Sequence, residues 1–209
     1  MSFISSYIHI KDKEVWKDNT LIYRNTEGIS NNKFYKLLYK QLAIKYMKFY
    51  KMDTLSKLGL LASEYLLGDR TLTSEFKAED IGIILMNRQA SLITDIKYYD
   101  TIKDTNNYFP SPSLFVYTLA NIVMGEIAIK NNFKGENIFY VQEHFNAGLI
   151  HNHTEQLLQR GSQQALLCGW LEVEEDKIDG FLYLVENNPT GLKLEHSIEN
   201  INRLKNQYY

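Results

Sequence analysis

The sequence has one cysteine, three prolines and no apolar run approaching the ~20 residues that a membrane-spanning helix requires. A single thiol, Cys168, cannot close an internal disulfide, so the expected location is a reducing cytoplasm. The opening residues, MSFISSYIHIKDKEVW, do not have the basic-then-apolar layout of a secretory signal. Neither sign of charge dominates: 23 basic and 25 acidic side chains give a formal net charge of -2. That balance provides no basic surplus for binding nucleic acid, and no long charge run marks a tail. No segment repeats, and none is low in complexity. What is abundant is aromatic: 15 tyrosines and 10 phenylalanines in a chain that is 44% hydrophobic. Its 209 residues suffice for one globular domain spanning 1–209.

Patterning supplies the elements. Residues 4–10 mix β-branched and aromatic side chains and predict a strand. Residues 11–32 are polar, carry Asn, Asp and Gly, and predict a loop. Over 32–50 apolar residues recur on a helical period with lysines between them. This predicts an amphipathic helix docked on the chain's own core or on a protein partner. Residues 54–67 predict a second helix, stopped at Gly68. DIGIILMN, at 80–87, is continuously apolar, as in a strand buried on both faces. Residues 91–102 predict a helix. The clearest helix spans 109–132, with Ser111 as its cap and Pro112 at its first position. Within it, 114–129 is apolar nearly all round apart from Asn121 and Glu126, so this helix is expected between two layers. A strand at 137–142, a helix at 146–159 ending near Gly161, strands at 165–173 and 180–186 joined by the acidic turn EEDKID, and an amphipathic helix at 196–207 complete the chain. This alternation predicts an α/β domain with a mostly parallel sheet and one antiparallel strand.

Three segments, in order, resemble the front half of a β-ketoacyl synthase of the thiolase-like superfamily. ASEYLLGDRTLTSEFKAEDIGIILMN, from Ala62 to Asn87, is similar to the family's helix, spacer and apolar strand. FPSPSLFVYTLANIVMGEIAIKNNFKGEN, from Phe109 to Asn137, is similar to its loop, buried helix and following turn, with Asn121, Gly125, Phe133, Lys134, Gly135 and Glu136 in the corresponding places. GENIFYVQEHFNAGLIHNHTEQLLQRGSQQALLCGWLEV, from Gly135 to Val173, follows the family's nucleophile strand, nucleophile-bearing helix and glycine-rich strand. The resemblance is best over 50–175 and looser over 1–50; 175–209 supply a closing strand and helix. It implies a single half of the thiolase-like fold: a five-stranded mixed sheet flanked by helices.

The resemblance also shows what is missing. The family holds its acyl chain as a thioester on a cysteine placed at a helix N-terminus, where the thiolate is favoured. Counting back from Gly161, or forward from Gly135, places that nucleophile position on His144, between Glu143 and Phe145. An acyl-imidazole is too labile to store a chain, so no catalytic residue is assigned. The two histidines that assist decarboxylation in the family belong to its second half. Cys168 lies 24 positions downstream in an apolar run and is read as a structural core residue. Glu143 and His144 could form an acid–base pair, but adjacent residues usually diverge. His151 and His153 project about 200° apart on a helix. With Glu143 and Glu155 the only acids near them, no metal site is expected, nor any other cofactor.

The implied function is that of a ketosynthase-like subunit without its own condensing chemistry, comparable to chain-length factors. Such a subunit would pair with a ketosynthase in fatty-acid-like or polyketide biosynthesis, polyene pigments included, on acyl-carrier-protein substrates. The alternatives are an acyl-processing enzyme using His144 and Glu143, and a structural module without acyl binding. The family dimerises through the strand before its nucleophile, which here is Asn137, Ile138, Phe139, Tyr140, Val141 and Gln142. That strand has neither proline nor lysine to block edge pairing. The expectation is a dimer, with itself or with a ketosynthase, through this strand.

Overall fold

The computed structural model describes residues 1–175 and 177–208; Asp176, in the acidic turn, and Tyr209 lie outside the described residues. The first strand, β1 (Phe3–Lys11), is followed by a hairpin of β2 (Glu14–Lys17) and β3 (Thr20–Arg24). Helices α1 (Asn31–Leu42) and α2 (Thr54–Leu67) precede β4 (Ile81–Asn87). Then come α3 (Leu92–Asp100), the short α4 (Pro112–Phe115), α5 (Ile122–Asn131), β5 (Asn137–Val141) and α6 (Ala147–Gln159). The chain closes with β6 (Ala165–Val173), β7 (Ile178–Glu186), the two-residue β8 (Leu194–Glu195) and α7 (Ile198–Asn206).

The strands form one sheet in the order β3-β2-β1-β7-β6-β4-β5, with β8 also on β1. In the core of five, β5, β4, β6 and β1 run one way and β7 opposes them. Within that core the mostly parallel sheet with one antiparallel strand is present, while β2 and β8 also run against β1. The strand number is corrected from five to eight: Leu194–Glu195 add β8, and residues 11–32 contain a hairpin rather than only a loop. Its turns are two-residue pairs, Asp12-Lys13 and Asp18-Asn19, and all four residues have positive φ. That geometry matches the right-handed twist of the flanking strands.

Side chains alternate between two apolar layers. On one face Ile83, Leu85, Leu167, Leu171, Leu182 and Leu184 meet α1, α2 and α5. On the other, Ile84, Met86, Leu166, Cys168, Phe181 and Tyr183 meet α6 and α7. A register shift between Ile4 and Ser6 puts Ile4 and Tyr7 on the second face and Ile8 and Ile10 on the first. Burial on both faces explains why β4 and β6 read as unbroken apolar runs.

Two expected helices are divided. The helix expected over 32–50 stops at Leu42, where Ala43 turns left-handed and its N–H bonds Lys40. The reversal brings Phe49 back to stack on Tyr39 at 4.2 Å, and the Tyr46 N–H donates to the Tyr39 hydroxyl. The helix expected over 109–132 is broken after Thr118, and its two parts meet at 100°. Ser111 and Pro112 cap the first part as expected. Glu126, the one acid in the second part, is buried but receives the Tyr117 hydroxyl and the Lys48 ammonium, each at 2.9 Å. The helix held between layers is α2, not this one. Gly59 on α2 lets α5 come close: a Cβ there would lie 2.3 Å from Val123 Cγ2. No single helix among the described residues is long and apolar enough to cross a membrane.

One buried titratable group on β1 gives the fold a pH signature. The His9 ring is fully buried, stacks on Phe181 at 4.7 Å and donates from Nε2 to the Leu204 carbonyl at 2.9 Å. Burial, helped by the nearby Lys205 ammonium, lowers its pKa to about 4. The native state thus holds His9 neutral, while the unfolded chain takes up a proton below about 6.5. Stability is therefore present above pH 6.5 and declines as pH falls toward 4, by up to about 3 kcal/mol for this group. Urea unfolding across pH 4–8 should show that decline, and His9→Gln should flatten it. An unchanged profile in the variant would rule out His9 as the titrating group.

Candidate functional site

The turn between β5 and α6 carries His144, the residue expected at the family's nucleophile position. Asn146 caps α6, its side chain accepting from the Leu149 N–H at 2.9 Å, and the Asn146 N–H donates to Met86 Sδ. These bonds fix the corner, and its three preceding residues fan out differently. Phe145 points inward, edge-on to Phe181 at 5.7 Å and to Trp170 at 6.4 Å. The His144 and Glu143 side chains are 85% and 84% exposed and stand 3.8 Å apart, beyond hydrogen-bond reach. His144 lies outside the helix, two residues before its cap, with its ring in solvent. The Leu149 and Ile150 N–H groups bond Asn146 rather than His144.

The turn forms one wall of a cleft of about 500 Å³. The floor comes from Trp170 and Glu172 of β6 and Ile178 and Asp179 of β7; Lys205 of α7 closes the far side. Two of its acids are bound to the scaffold. Glu172 is buried and accepts the Arg88 N–H at 2.6 Å, and burial raises its carboxyl pKa. Asp179 accepts from Lys205 Nζ at 2.7 Å, while burial lowers the lysine. This arrangement can hold an apolar group against Phe145 and Trp170 within a polar rim. It presents no thiol or hydroxyl nucleophile at the corner. Cys168 is fully buried on the α6 side of the sheet, 3.3 Å from Thr154 Oγ1, and burial pushes its thiol up to about 12.

Glu172, Asp179 and Lys205 carry no motif in the sequence. They converge only because the strand ends β6 and β7 meet α7, so pattern reading had no signal for them. Of the histidines, His153 bonds the Tyr140 hydroxyl at 2.5 Å, while His151 turns to the His196 carbonyl at 3.1 Å. They diverge, as their spacing implies. The His196 hydrogen bond holds Glu155 down at about 2, and burial lowers His196 itself.

The interface candidates Asn137, Ile138, Phe139, Tyr140 and Val141 form β5, and Gln142 follows it, its N–H bonding the Asn87 carbonyl. β5 is the edge of the sheet, paired among the described residues only with β4. The Ile83 N–H bonds the Glu136 carbonyl, and the Gln142 N–H bonds Asn87. By alternation the backbone groups of 136, 138, 140 and 142 face β4, and those of 137, 139 and 141 face outward.

No protein-family model and no curated protein matches the sequence. Solved structures do match. The ishigamide ketosynthase/chain length factor aligns with a TM-score of 0.66 at 16% identity, covering 92% of this chain and 63% of that one. A ketosynthase (ApeO) in complex with its chain length factor (ApeC), from Xenorhabdus doucetiae, gives 0.55 at 14% identity, covering 90% and 80%. A type II polyketide synthase complex, AntDE:AntF, with its acyl-carrier protein bound to the ketosynthase, gives 0.56 at 12%, covering 89% and 62%. The chain thus spans about three-fifths of the length of two of these. At such identities the likeness is one of fold, and the chain has the thiolase-like fold of ketosynthases and chain-length factors.

Proposed function

We propose that this chain is a ketosynthase-like partner subunit of the chain-length-factor kind, which pairs with a ketosynthase in polyketide or fatty-acid-like biosynthesis and does not condense acyl chains itself. The observation that carries the reading is the β5–α6 corner. It has the family's strand–turn–helix form and borders a cleft with an apolar wall, yet it presents a solvent-facing imidazole where a thiolate would be needed. In this reading His144 is a surface residue. Phe145, with Trp170 behind it, is the wall that an acyl chain or the partner's residues would meet. The 209 residues act as one unit, corresponding to half of the family's fold. An acyl carrier protein reaches it through the shared assembly. The likeness in fold to ketosynthases and their chain length factors supports the same pairing.

The uncovered flank of β5 is the surface we assign to the pairing, antiparallel to its counterpart in the partner. It contains no charged residue, and its outward backbone groups at 137, 139 and 141 have no partner strand among the described residues. Elsewhere Phe109, Phe115, Val116 and Leu119 are also exposed.

Two outcomes test these statements. The protein incubated with malonyl- and acyl-loaded carrier protein should yield no elongated product by mass spectrometry, and neither should His144→Cys, which lacks the assisting histidines. His144→Ala should cost no more than the ~1 kcal/mol typical of a point change and leave association intact. Elongated product from either pure protein would move the assignment to an acyl-processing enzyme. For the pairing, Val141→Pro removes an outward-facing N–H while sparing the ladder to β4. Sedimentation should show a dimer, with itself or with a ketosynthase, for wild type and monomer for the variant. A monomeric wild type that binds no ketosynthase would leave a structural module as the better reading.

A further inference from the structure

We propose that His151, Glu155 and His196 form a binding site for a divalent transition-metal ion of the zinc class, separate from the β5–α6 corner. His151 and Glu155 are four residues apart on α6 and share one face of the helix. His196 arrives from the segment between β8 and α7, which runs antiparallel contacts back to Ser2 at the N-terminus. One nitrogen from each histidine and one oxygen from Glu155 lie within 4.8 Å of one another. Zn–N and Zn–O bonds near 2.1 Å in a tetrahedron put ligand atoms roughly 3.4 Å apart, so the triad needs a modest adjustment, its widest separation closing while Glu155 Oε1 and His196 Nδ1, 2.7 Å apart, open out. His151 and Glu155 are partly exposed and can supply it by rotating; His196 is buried and fixed.

The surroundings fit an ion. All three residues line one surface cleft of about 530 Å³, so solvent can complete the coordination. The Ser2 hydroxyl donates to Glu155 Oε1, an outer hydrogen bond of the sort that orients a ligating carboxylate. Glu155 Oε1 and His196 Nδ1 are 2.7 Å apart, with the imidazole proton between them. A metal ion takes that proton's place, and the proton passes to Nε2. His196 Nε2 is buried and has no hydrogen-bond partner among the described residues, so the bond that fixes the ring's tautomer is the one to Glu155, which the ion replaces. Two imidazoles and one carboxylate select zinc, cobalt, nickel or copper over calcium and magnesium, which favour all-oxygen shells. An ion here would join α6, the lead into α7 and the N-terminal residues, three segments that otherwise meet here through hydrogen bonds and the packing of the His151 and His196 rings.

The test uses the tag-free chain, dialysed against chelator and titrated with zinc chloride by calorimetry and with cobalt chloride by visible absorption. We expect one equivalent of either ion, d–d bands of four-coordinate cobalt, and a raised melting temperature with zinc but not with magnesium. His151→Ala, at a partly exposed position, should keep the wild-type circular dichroism spectrum. It should weaken zinc binding more than about 100-fold, beyond the range usual for an outer-shell change. Glu155→Gln should weaken it too, and His153→Ala, whose ring faces Tyr140, should not. Absence of stoichiometric binding in the wild-type chain, or binding that survives both His151→Ala and Glu155→Gln, would overturn the site.

Discussion

Everything in this fold follows from β4 and β6 being buried on both faces. A strand whose residues are apolar without alternation cannot rest on solvent on either side, so it demands a helical layer above and another below. α2 and α5 supply one layer, and α6 and α7 the other. The β5–α6 corner is a product of that arrangement. The β5–α6 turn must climb from the sheet to the second layer, and in doing so it leaves a cleft at the strand ends where β6, β7 and α7 come together.

The elements that the sequence reveals best are those governed by a single strong pattern. α2 falls on the expected 54–67 because its apolar density, its Asp53 cap and the Gly68 stop agree. β4, β6 and β7 are legible for the same reason. The misses come from tertiary contacts that override local period. Ala43 turns left-handed so that Phe49 can stack on Tyr39, and no helical-period count carries that information. Nor could the apolar run over 114–129 announce a 100° break, since both of its parts remain apolar. The β2–β3 hairpin is a different matter: its turn pair, Asp18-Asn19, is of the residue types that accept positive φ, whereas Lys13 in the preceding turn carries no such signal.

The candidate site was legible only in part. Counting from Gly135 and Gly161 locates the corner, and the corner has the expected strand–turn–helix form. The sequence could not show which of Glu143, His144 and Phe145 points inward, because three consecutive residues in a turn have no fixed period. Phe145 is the one that packs on the sheet. Likewise the spacing of His151 and His153 rightly separates them, but says nothing of His196, which is distant in the chain and meets α6 only because β8 returns along β1.

The bare flank of β5 bears on how such a chain survives in a cell. An edge strand with Ile, Phe, Tyr and Val in succession, and no charge among them, has the composition of segments that stack into cross-β aggregates when left open. Five residues is short, which limits the hazard without removing it. Folding alone does not solve the problem, because the native state itself displays the edge. On the pairing proposed above, the concentration at which this protein stays dispersed is set less by the depth of its core than by the supply of the strand laid against β5. Synthesis in step with a covering partner would matter more to its solubility than additional core stability.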